Sequence, residues 1–153
     1  MSVLDDAGTI EDQLGIEQLI YQYQHALDSG DGKLFAECFT PGAILPGVNL
    51  TWQGDFAQRL QEMHKPVPAD RKVTASHYMF NHLYDVSGAR AFGVTYCWGN
   101  FSGPSSLRDM YVRYRDELVK QDGQWRFQKR EFDLLCYTKA IPARRIAQDR
   151  AGH

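Results

Sequence analysis

The first half of the chain has apolar residues that recur at spacings of three and four, which is typical of amphipathic helices. Polar capping residues and glycine or proline breaks bound each repeat. The longest repeat carries its apolar stripe at Ile16, Leu19, Ile20, Tyr23 and Leu27. The pattern therefore predicts three helices, over Thr9 to Asp28, Asp31 to Phe39 and Gly54 to Lys65.

The second half changes to runs rich in Tyr, Phe, Val and Trp, separated by short glycine-containing turns. These runs predict four long strands, over Lys72 to Val86, Ala89 to Phe101, Leu107 to Lys120 and Gln124 to Tyr137. Helices followed by antiparallel strands are the order of an α+β domain, with the helices packed on one face of a curved sheet. We expect one domain over 1–153 with its core at about 9–138. For the tail, 139–153, a helix, a partner-binding arm and a disordered segment all remain open.

Composition and charge limit the kinds of molecule that the protein is expected to bind. The 153 residues carry 17 Lys and Arg against 19 Asp and Glu, a net charge of −2, with the cations scattered. This balance argues against nucleic acid, and no apolar run approaches the ~20 residues of a membrane span. The acidic start lacks the regions of a signal peptide, so a cytoplasmic location is expected. The 8 Phe, 8 Tyr and 3 Trp favour an aromatic-lined pocket or an interface.

Cofactor and metal motifs are missing from the sequence. Cys38, Cys97 and Cys136 are odd in number and far apart, so we expect buried free thiols. His77 and His82 are five apart and face opposite sides of a regular strand, which makes a poor metal pair. The chain has no Gly-x-Ser-x-Gly, Walker or dinucleotide motif, which argues against nucleophilic hydrolase, nucleotide and nicotinamide chemistry. No metal and no cofactor are expected.

Two residues are candidates for proton chemistry. His77 shares a mainly apolar strand face with Val73, Ala75, Met79, Asn81 and Leu83. It is either a structural core histidine or a general base, since an imidazole is largely neutral at pH 7. Asp28 ends a helix, where the macrodipole disfavours an anion. It is either an exposed carboxylate of the Asp-Ser-Gly-Asp turn or a group turned toward the sheet to orient His77.

Several short motifs occur in an order that resembles the SnoaL-like branch of the nuclear transport factor 2-like superfamily. They are Ile20-Tyr21-Gln22-Tyr23, Ala26-Leu27-Asp28-Ser29-Gly30-Asp31, Leu34, Phe39, His77-Tyr78 with Asn81, and Asp122-Gly123-Gln124-Trp125-Arg126-Phe127 leading to Arg130. The resemblance covers roughly Glu11 to Tyr137. It implies a conical α+β barrel, in which three N-terminal helices wrap a strongly curved antiparallel or mixed sheet around a pocket.

Within this superfamily the chain is most similar to the cofactor-free lyases, such as scytalone dehydratase, bile acid dehydratases and hexachlorocyclohexane dehydrochlorinase. The resemblance implies that Asp28 and His77 form a catalytic dyad, with Tyr23 at a position where some members have a tyrosine. Arg130 matches a basic residue that assists an anionic leaving group, or it is a surface or ion-pair arginine. Asn100 falls where related dehydratases have a polar pocket residue, although an asparagine cannot donate a proton as a carboxylic acid can. The other expected pocket residues, for which ordinary core packing is the alternative, are Trp98, Tyr96, Met79 and Phe132.

The expected reaction is elimination from a small hydrophobic, cyclic substrate, with His77 as base, Asp28 as its partner, and Tyr23 or Arg130 assisting the leaving group. Two alternatives stay open. One is an isomerase or polyketide cyclase with the same acid–base residues. The other is a non-catalytic small-ligand-binding protein of the same fold. The resemblance also implies a homo-oligomer, with a trimer favoured over a dimer.

Overall fold

The computed structural model describes residues 8–46, 54–66, 68, 74–103, 106–138 and 141–142. The three predicted helices and four predicted long strands occur in the predicted order, with a further short strand before the third helix and another after the last long strand, and the fold is α+β as expected. The helices are α1 (Ile10–Ser29), α2 (Gly32–Glu37) and α3 (Gly54–Met63). The strands are β1 (Phe39–Ile44), β2 (Thr74–Ser87), β3 (Arg90–Ser102), β4 (Ser106–Gln121), β5 (Gln124–Tyr137) and β6 (Ile141–Pro142). Apart from β6, the tail 139–153 lies outside the described residues, as do Lys72 and Val73.

The strands form one mixed sheet in the order β1-β5-β4-β3-β2, and β6 pairs with β4. The four long strands are antiparallel neighbours, whereas β1 runs parallel to β5. We call the face covered by α1 the inner face, and it carries the core residues Ala91, Cys97, Val112, Leu118 and Phe127. The observed architecture is thus a curved mixed sheet together with three N-terminal helices, which confirms the predicted fold class.

Strand β1 was not predicted, because Phe39 was assigned to the second helix and Pro41-Gly42 to the end of that helix. Phe39 contacts the Phe127 ring at 5.3 Å, and the Phe127 amide donates to the Cys38 carbonyl at 2.9 Å. Pro41 lacks an N–H and Gly42 has φ +77°, so this segment suits the edge of a sheet. Pairing with β5, which lies more than 80 residues further along the chain, leaves no local signal in the sequence.

A bulge in β2 changes which residues share a face with His77. The pairing with β3 shifts register between Phe80 and His82, and Asn81 adopts φ +43°. Asn81 and Leu83 are therefore exposed rather than aligned with His77 as predicted. His82, which pairs with the inner-face residue Thr95, lies on the same side as His77 rather than the opposite side.

The N-terminal end of α1 is held against strands β4 and β5 through Asp12. Thr9 and Asp12 form a capping box, with the Asp12 amide 3.1 Å from the Thr9 hydroxyl. The Asp12 carboxylate also accepts bonds from Lys120 Nζ at 2.8 Å and Trp125 Nε1 at 3.2 Å. The bond from Lys120 is the largest cause of a lowered Asp12 pKa. This end of α1 is thus fixed against β4 and β5.

The opposite face of the sheet, which we call the outer face, exposes aromatic side chains. Tyr78, Trp98 and Tyr111 stack across three strands with ring centroids 5.2 and 6.4 Å apart. The homo-oligomer expected from the resemblance stays a prediction. Its oligomeric state can be measured by sedimentation. No helix in the described part of the chain is long and apolar enough to cross a bilayer.

Helix α3 packs on the turn between α1 and α2. Gly30 ends α1 with φ +73°, a left-handed conformation that favours glycine. Gly32 has no such φ, but a Cβ there would lie 2.6 Å from the Ala57 carbonyl oxygen of α3. The two glycines thus let α3 approach the backbone directly below Asp28.

We predict that Gly32→Ala destabilises the protein, although alanine favours helices. Its Cβ overlaps the α3 backbone, and such overpacking costs typically about 1–3 kcal/mol. Lys33→Ala, at a side chain 87% exposed in the same helix, is the matched control and should change stability by less than about 0.5 kcal/mol. Urea unfolding measures both variants. Equal stability of Gly32→Ala and wild type would contradict the close approach.

Candidate active site

Asp28 and His77 meet where the end of α1 faces β2. His77 Nδ1 lies 2.7 Å from Asp28 Oδ1, and the side chains of His77 and Asp28 are 16% and 29% exposed, respectively. The His77 backbone amide also donates to both carboxylate oxygens, at 3.0 and 3.1 Å. The carboxylate therefore faces the sheet, and the exposed-turn alternative for Asp28 does not describe its position.

This contact determines how protons are arranged on the ring. A carboxylate accepts hydrogen bonds, so the N–H of His77 is on Nδ1 and donates a hydrogen bond to Asp28. The neutral ring then has its lone pair on Nε2. The edge of the ring packs against Phe101 with centroids 5.7 Å apart. Asp28 thus sets both the tautomer and the orientation of an imidazole whose second nitrogen is suited to take a proton.

Tyr23 and Arg130 form a second buried cluster on the inner face. Arg130 is only 1% exposed, and its guanidinium carbon lies 4.2, 4.0 and 4.2 Å from the ring centres of Tyr23, Tyr114 and Phe127. A cation over aromatic faces is attracted by their negative quadrupoles, more strongly when water is excluded. Burial raises the pKa of Tyr23 to about 12, so its hydroxyl keeps its proton at neutral pH.

Asp116 supplies the counter-charge for Arg130. Arg130 Nε lies 3.4 Å from Asp116 Oδ1, and the Tyr84 hydroxyl donates to Asp116 Oδ2 at 2.5 Å. Burial raises the pKa of Asp116, while Arg130 acts in the opposite direction. None of the three guanidinium nitrogens has a hydrogen-bond partner among the described residues. The cluster is thus a buried ion pair with unused donors.

The two clusters lie along the same helix but at different levels of the sheet. His77 pairs with Gly99, whereas Arg130 pairs with Asp116, six residues further along β4 than Met110, the partner of Gly99. Tyr23 lies five residues before Asp28 in α1, an axial rise of about 7.5 Å. Between the two levels, the inner face carries the buried core residues Cys97 and Val112.

Met79 and Phe132, two of the expected pocket residues, lie on the inner face. Both are partly buried and pack against the core. Phe132 contacts the Tyr114 ring at 6.0 Å. Their positions suit either a pocket lining or core packing.

Tyr96, Trp98 and Asn100 were also expected to line the pocket, but they lie on the outer face. Strand alternation explains the difference, because Gly99, directly opposite His77, and Cys97 point inward while their neighbours point outward. Trp98 stacks on Tyr78, and Asn100 Nδ2 donates to Asp109 at 2.7 Å. The structure does not bring these three residues to the dyad.

Tyr84, Tyr114 and Asp116 belong to the inner cluster and were missed. Asp116 sits in the charged run Arg115-Asp116-Glu117, which is typical of an exposed strand segment. The available signal was the alternation of Val112, Tyr114 and Leu118, which places position 116 on the buried face.

The cysteines only partly follow expectation. Cys38 and Cys97 are buried free thiols, whereas Cys136 is exposed. Burial raises the pKa of Cys38 to about 12 and that of Cys97 to about 11, so neither is an activated nucleophile.

Other potential sites would be metal-binding clusters or surface grooves away from Asp28 and His77. In the described ranges, no group of three or more His, Cys, Asp or Glu side chains is placed to bind a metal ion. Two open grooves, of about 410 and 490 Å³, run along the outer face and beside β1. Neither is lined by Asp28 or His77.

We predict that Asp116→Ala is strongly destabilising because it leaves the Arg130 cation buried without its counter-charge. Breaking a buried pair in this way costs about 3–5 kcal/mol. Glu131→Ala removes the carboxylate of an exposed pair with Arg115 and should cost at most about 1 kcal/mol. Urea unfolding of the two variants makes the comparison. Similar losses of unfolding free energy in the two variants would show that the pair of Asp116 and Arg130 contributes no more than an exposed ion pair.

Comparison with known proteins agrees with this architecture. The sequence matches the SnoaL-like domain family over residues 8–131. Among solved structures, a scytalone dehydratase-like protein from Novosphingobium aromaticivorans is 22% identical, with a TM-score of 0.70 over 83% of this chain and 86% of that one. A hexachlorocyclohexane dehydrochlorinase (LinA, type 2) is 19% identical, with a TM-score of 0.67 over 86% and 90%.

ActVI-ORFA from Streptomyces coelicolor is 15% identical, with a TM-score of 0.65 over 80% of this chain and 96% of that one. These likenesses concern the fold. A search of curated proteins finds no match. Since the family match spans most of the sequence, the chain belongs to the SnoaL-like domain family.

Proposed function

We propose that the protein is a cofactor-independent lyase that eliminates water or halide from a small hydrophobic, cyclic substrate. The observation that carries this proposal is the 2.7 Å contact between Asp28 and His77 Nδ1, which leaves Nε2 as the basic nitrogen. Structures of the same fold include a dehydratase-like protein and a dehydrochlorinase, and this supports an elimination.

The proton transfer runs from substrate carbon to His77. Nε2 takes a proton from the carbon next to the one that bears the leaving group, and the electrons of that C–H bond form the new C=C bond. The resulting imidazolium is stabilised by the Asp28 carboxylate, which two bonds from the His77 amide keep in place. General-base catalysis contributes typically about 10²–10⁴-fold, so positioning and electrostatics supply the rest.

The leaving group departs with the electrons of its bond to carbon. In this proposal Arg130 stabilises it as an anion through guanidinium N–H groups that have no partner among the described residues. Tyr23, which keeps its proton at neutral pH, supplies a hydrogen bond or a proton to a departing hydroxide. Because Asp116 already balances the charge of Arg130, the contribution of Arg130 comes from directed N–H donors more than from net charge.

The substrate class can be tested with two sets of probes in D₂O, cyclic β-hydroxy ketones and hexachlorocyclohexane. We expect the wild-type protein to release water or chloride from a member of one set, seen by mass spectrometry as loss of the leaving group. Conversion with unchanged mass would instead show an isomerase or cyclase. Binding without either deuterium exchange at carbon or product formation would show a ligand-binding protein.

We predict that His77→Ala abolishes turnover while urea unfolding shows an intact fold. Asp28→Asn should lower kcat by about 10²–10⁴-fold, because the ring loses the partner that sets its tautomer. Asp31→Asn is the matched control, since it removes the same charge three residues away and asparagine caps α2 as well as aspartate. An equal loss in Asp31→Asn would mean that charge alone, and not the dyad, determines the rate.

A further inference from the structure

His64 is held between two backbone carbonyl groups just beyond the end of α3. Its Nδ1 lies 2.9 Å from the Leu60 carbonyl oxygen, one turn back in α3. Its Nε2 lies 3.1 Å from the carbonyl oxygen of Asp28, near the end of α1. The ring therefore connects α3 to the residue whose carboxylate contacts His77.

The number of hydrogen bonds that the ring donates here depends on its protonation state. A carbonyl oxygen only accepts hydrogen bonds, and a neutral imidazole has a single N–H. The neutral ring can satisfy one of the two carbonyls, and it then turns a lone pair toward the other. The imidazolium has two N–H groups and satisfies both.

The location also favours a cation. Leu60 and Asp28 lie in the last turns of α3 and α1, where unpaired carbonyls carry the negative end of each helix dipole. Neither helix has a basic residue in its last turn. A protonated His64 supplies positive charge to both helix ends.

The turn below His64 is shaped for this contact. A Cβ on Gly30 would overlap the His64 ring, and one on Gly32 would meet Ala57 and Gln61. Ala57, Gln61 and His64 follow one another at spacings of four and three, so they form one face of α3 and its end. That face rests on the Asp28-to-Gly32 turn.

Several titratable groups belong to the elements around His64. They are the Asp28 carboxylate on α1, Asp31 at the start of α2, Glu62 and Lys65 beside His64 in the chain, and His77 on β2. Asp28 is already engaged by His77, and the Asp31 carboxylate caps α2 through the Leu34 amide at 2.9 Å. These two carboxylates thus have other partners, whereas the His64 ring contacts carbonyl oxygens of both α3 and α1.

We infer that His64 is a positioning residue which, in its doubly protonated form, clamps α3 onto the Asp28 backbone and so holds the Asp28 carboxylate in line with His77. This inference rests on the proposed function for its effect on rate, but the clamp itself does not. Protonation adds the second hydrogen bond. Deprotonation releases one end of the ring and loosens the turn that carries Asp28.

The clamp is tested by stability, without any substrate. His64→Gln keeps a side-chain donor but has no titratable group, so it should shift the unfolding equilibrium toward the unfolded state by roughly two- to fivefold at about pH 5.5 and by much less at about pH 8.5. His25→Gln, an exposed histidine of α1, is the matched control and should show no such pH-dependent difference. Equal effects of His64→Gln at both pH values would overturn the clamp.

The positioning role is tested by rate, using whichever probe the wild-type protein converts. His64→Gln should lower kcat by roughly two- to fivefold at about pH 5.5, with the difference from wild type vanishing at about pH 8.5 and KM little changed. A pH-independent ratio of kcat values would overturn positioning by protonation. If no probe is converted, the proposed function fails while the stability comparison still decides the clamp.

Discussion

The contact between Asp28 and His77 is the constraint on which the site depends. An anion at the carboxyl end of a helix is disfavoured by the helix dipole, so Asp28 needs donors from elsewhere. His77 supplies them from β2, through its backbone amide and its ring. At the other end of α1, Lys120 and Trp125 bind Asp12. The 20-residue helix, about 30 Å long, is thereby fixed across the sheet at both ends.

Fixing α1 also determines what lies beneath it. Tyr23 covers Arg130, whose cation is buried among three rings and balanced by Asp116. Taking such a pair out of water is costly, and hydrophobic residues of similar volume are often as stable. In the proposed function, the unused donors of this buried guanidinium act on the leaving group. This links the two clusters into one proposed site along the helix.

Much of the fold was predictable because the periodicities are strong. The stripe of α1, the four long strands and the glycine turns are local signals, and the structure confirms them. Strand β1 was not predictable, since its partner β5 is distant in sequence and its apolar residues also fit a helical spacing. The bulge at Asn81 also moves Leu83 to the face opposite to the one predicted. The sequence has no proline or glycine at this position that would indicate a bulge.

The candidate site was predictable in part. Asp28 and His77 were singled out by residue type and by resemblance, and the fold brings them together. Tyr96 and Trp98 were misplaced because a pocket was assigned to aromatic character, and Asn100 because of the resemblance, whereas alternation around Gly99 decides the face. Asp116 and His64 were missed since their contacts join different elements, which spacing along one element does not encode.

The tautomer of His77 tests the central claim most directly. Nitrogen-15 NMR of histidine-labelled protein, at a pH where the ring is neutral, distinguishes a protonated from an unprotonated ring nitrogen. The account predicts that Nδ1 carries the proton, donated to Asp28, and that Nε2 is the unprotonated nitrogen. A proton on Nε2 with Nδ1 unprotonated would contradict the dyad and remove the base on which the proposed elimination depends.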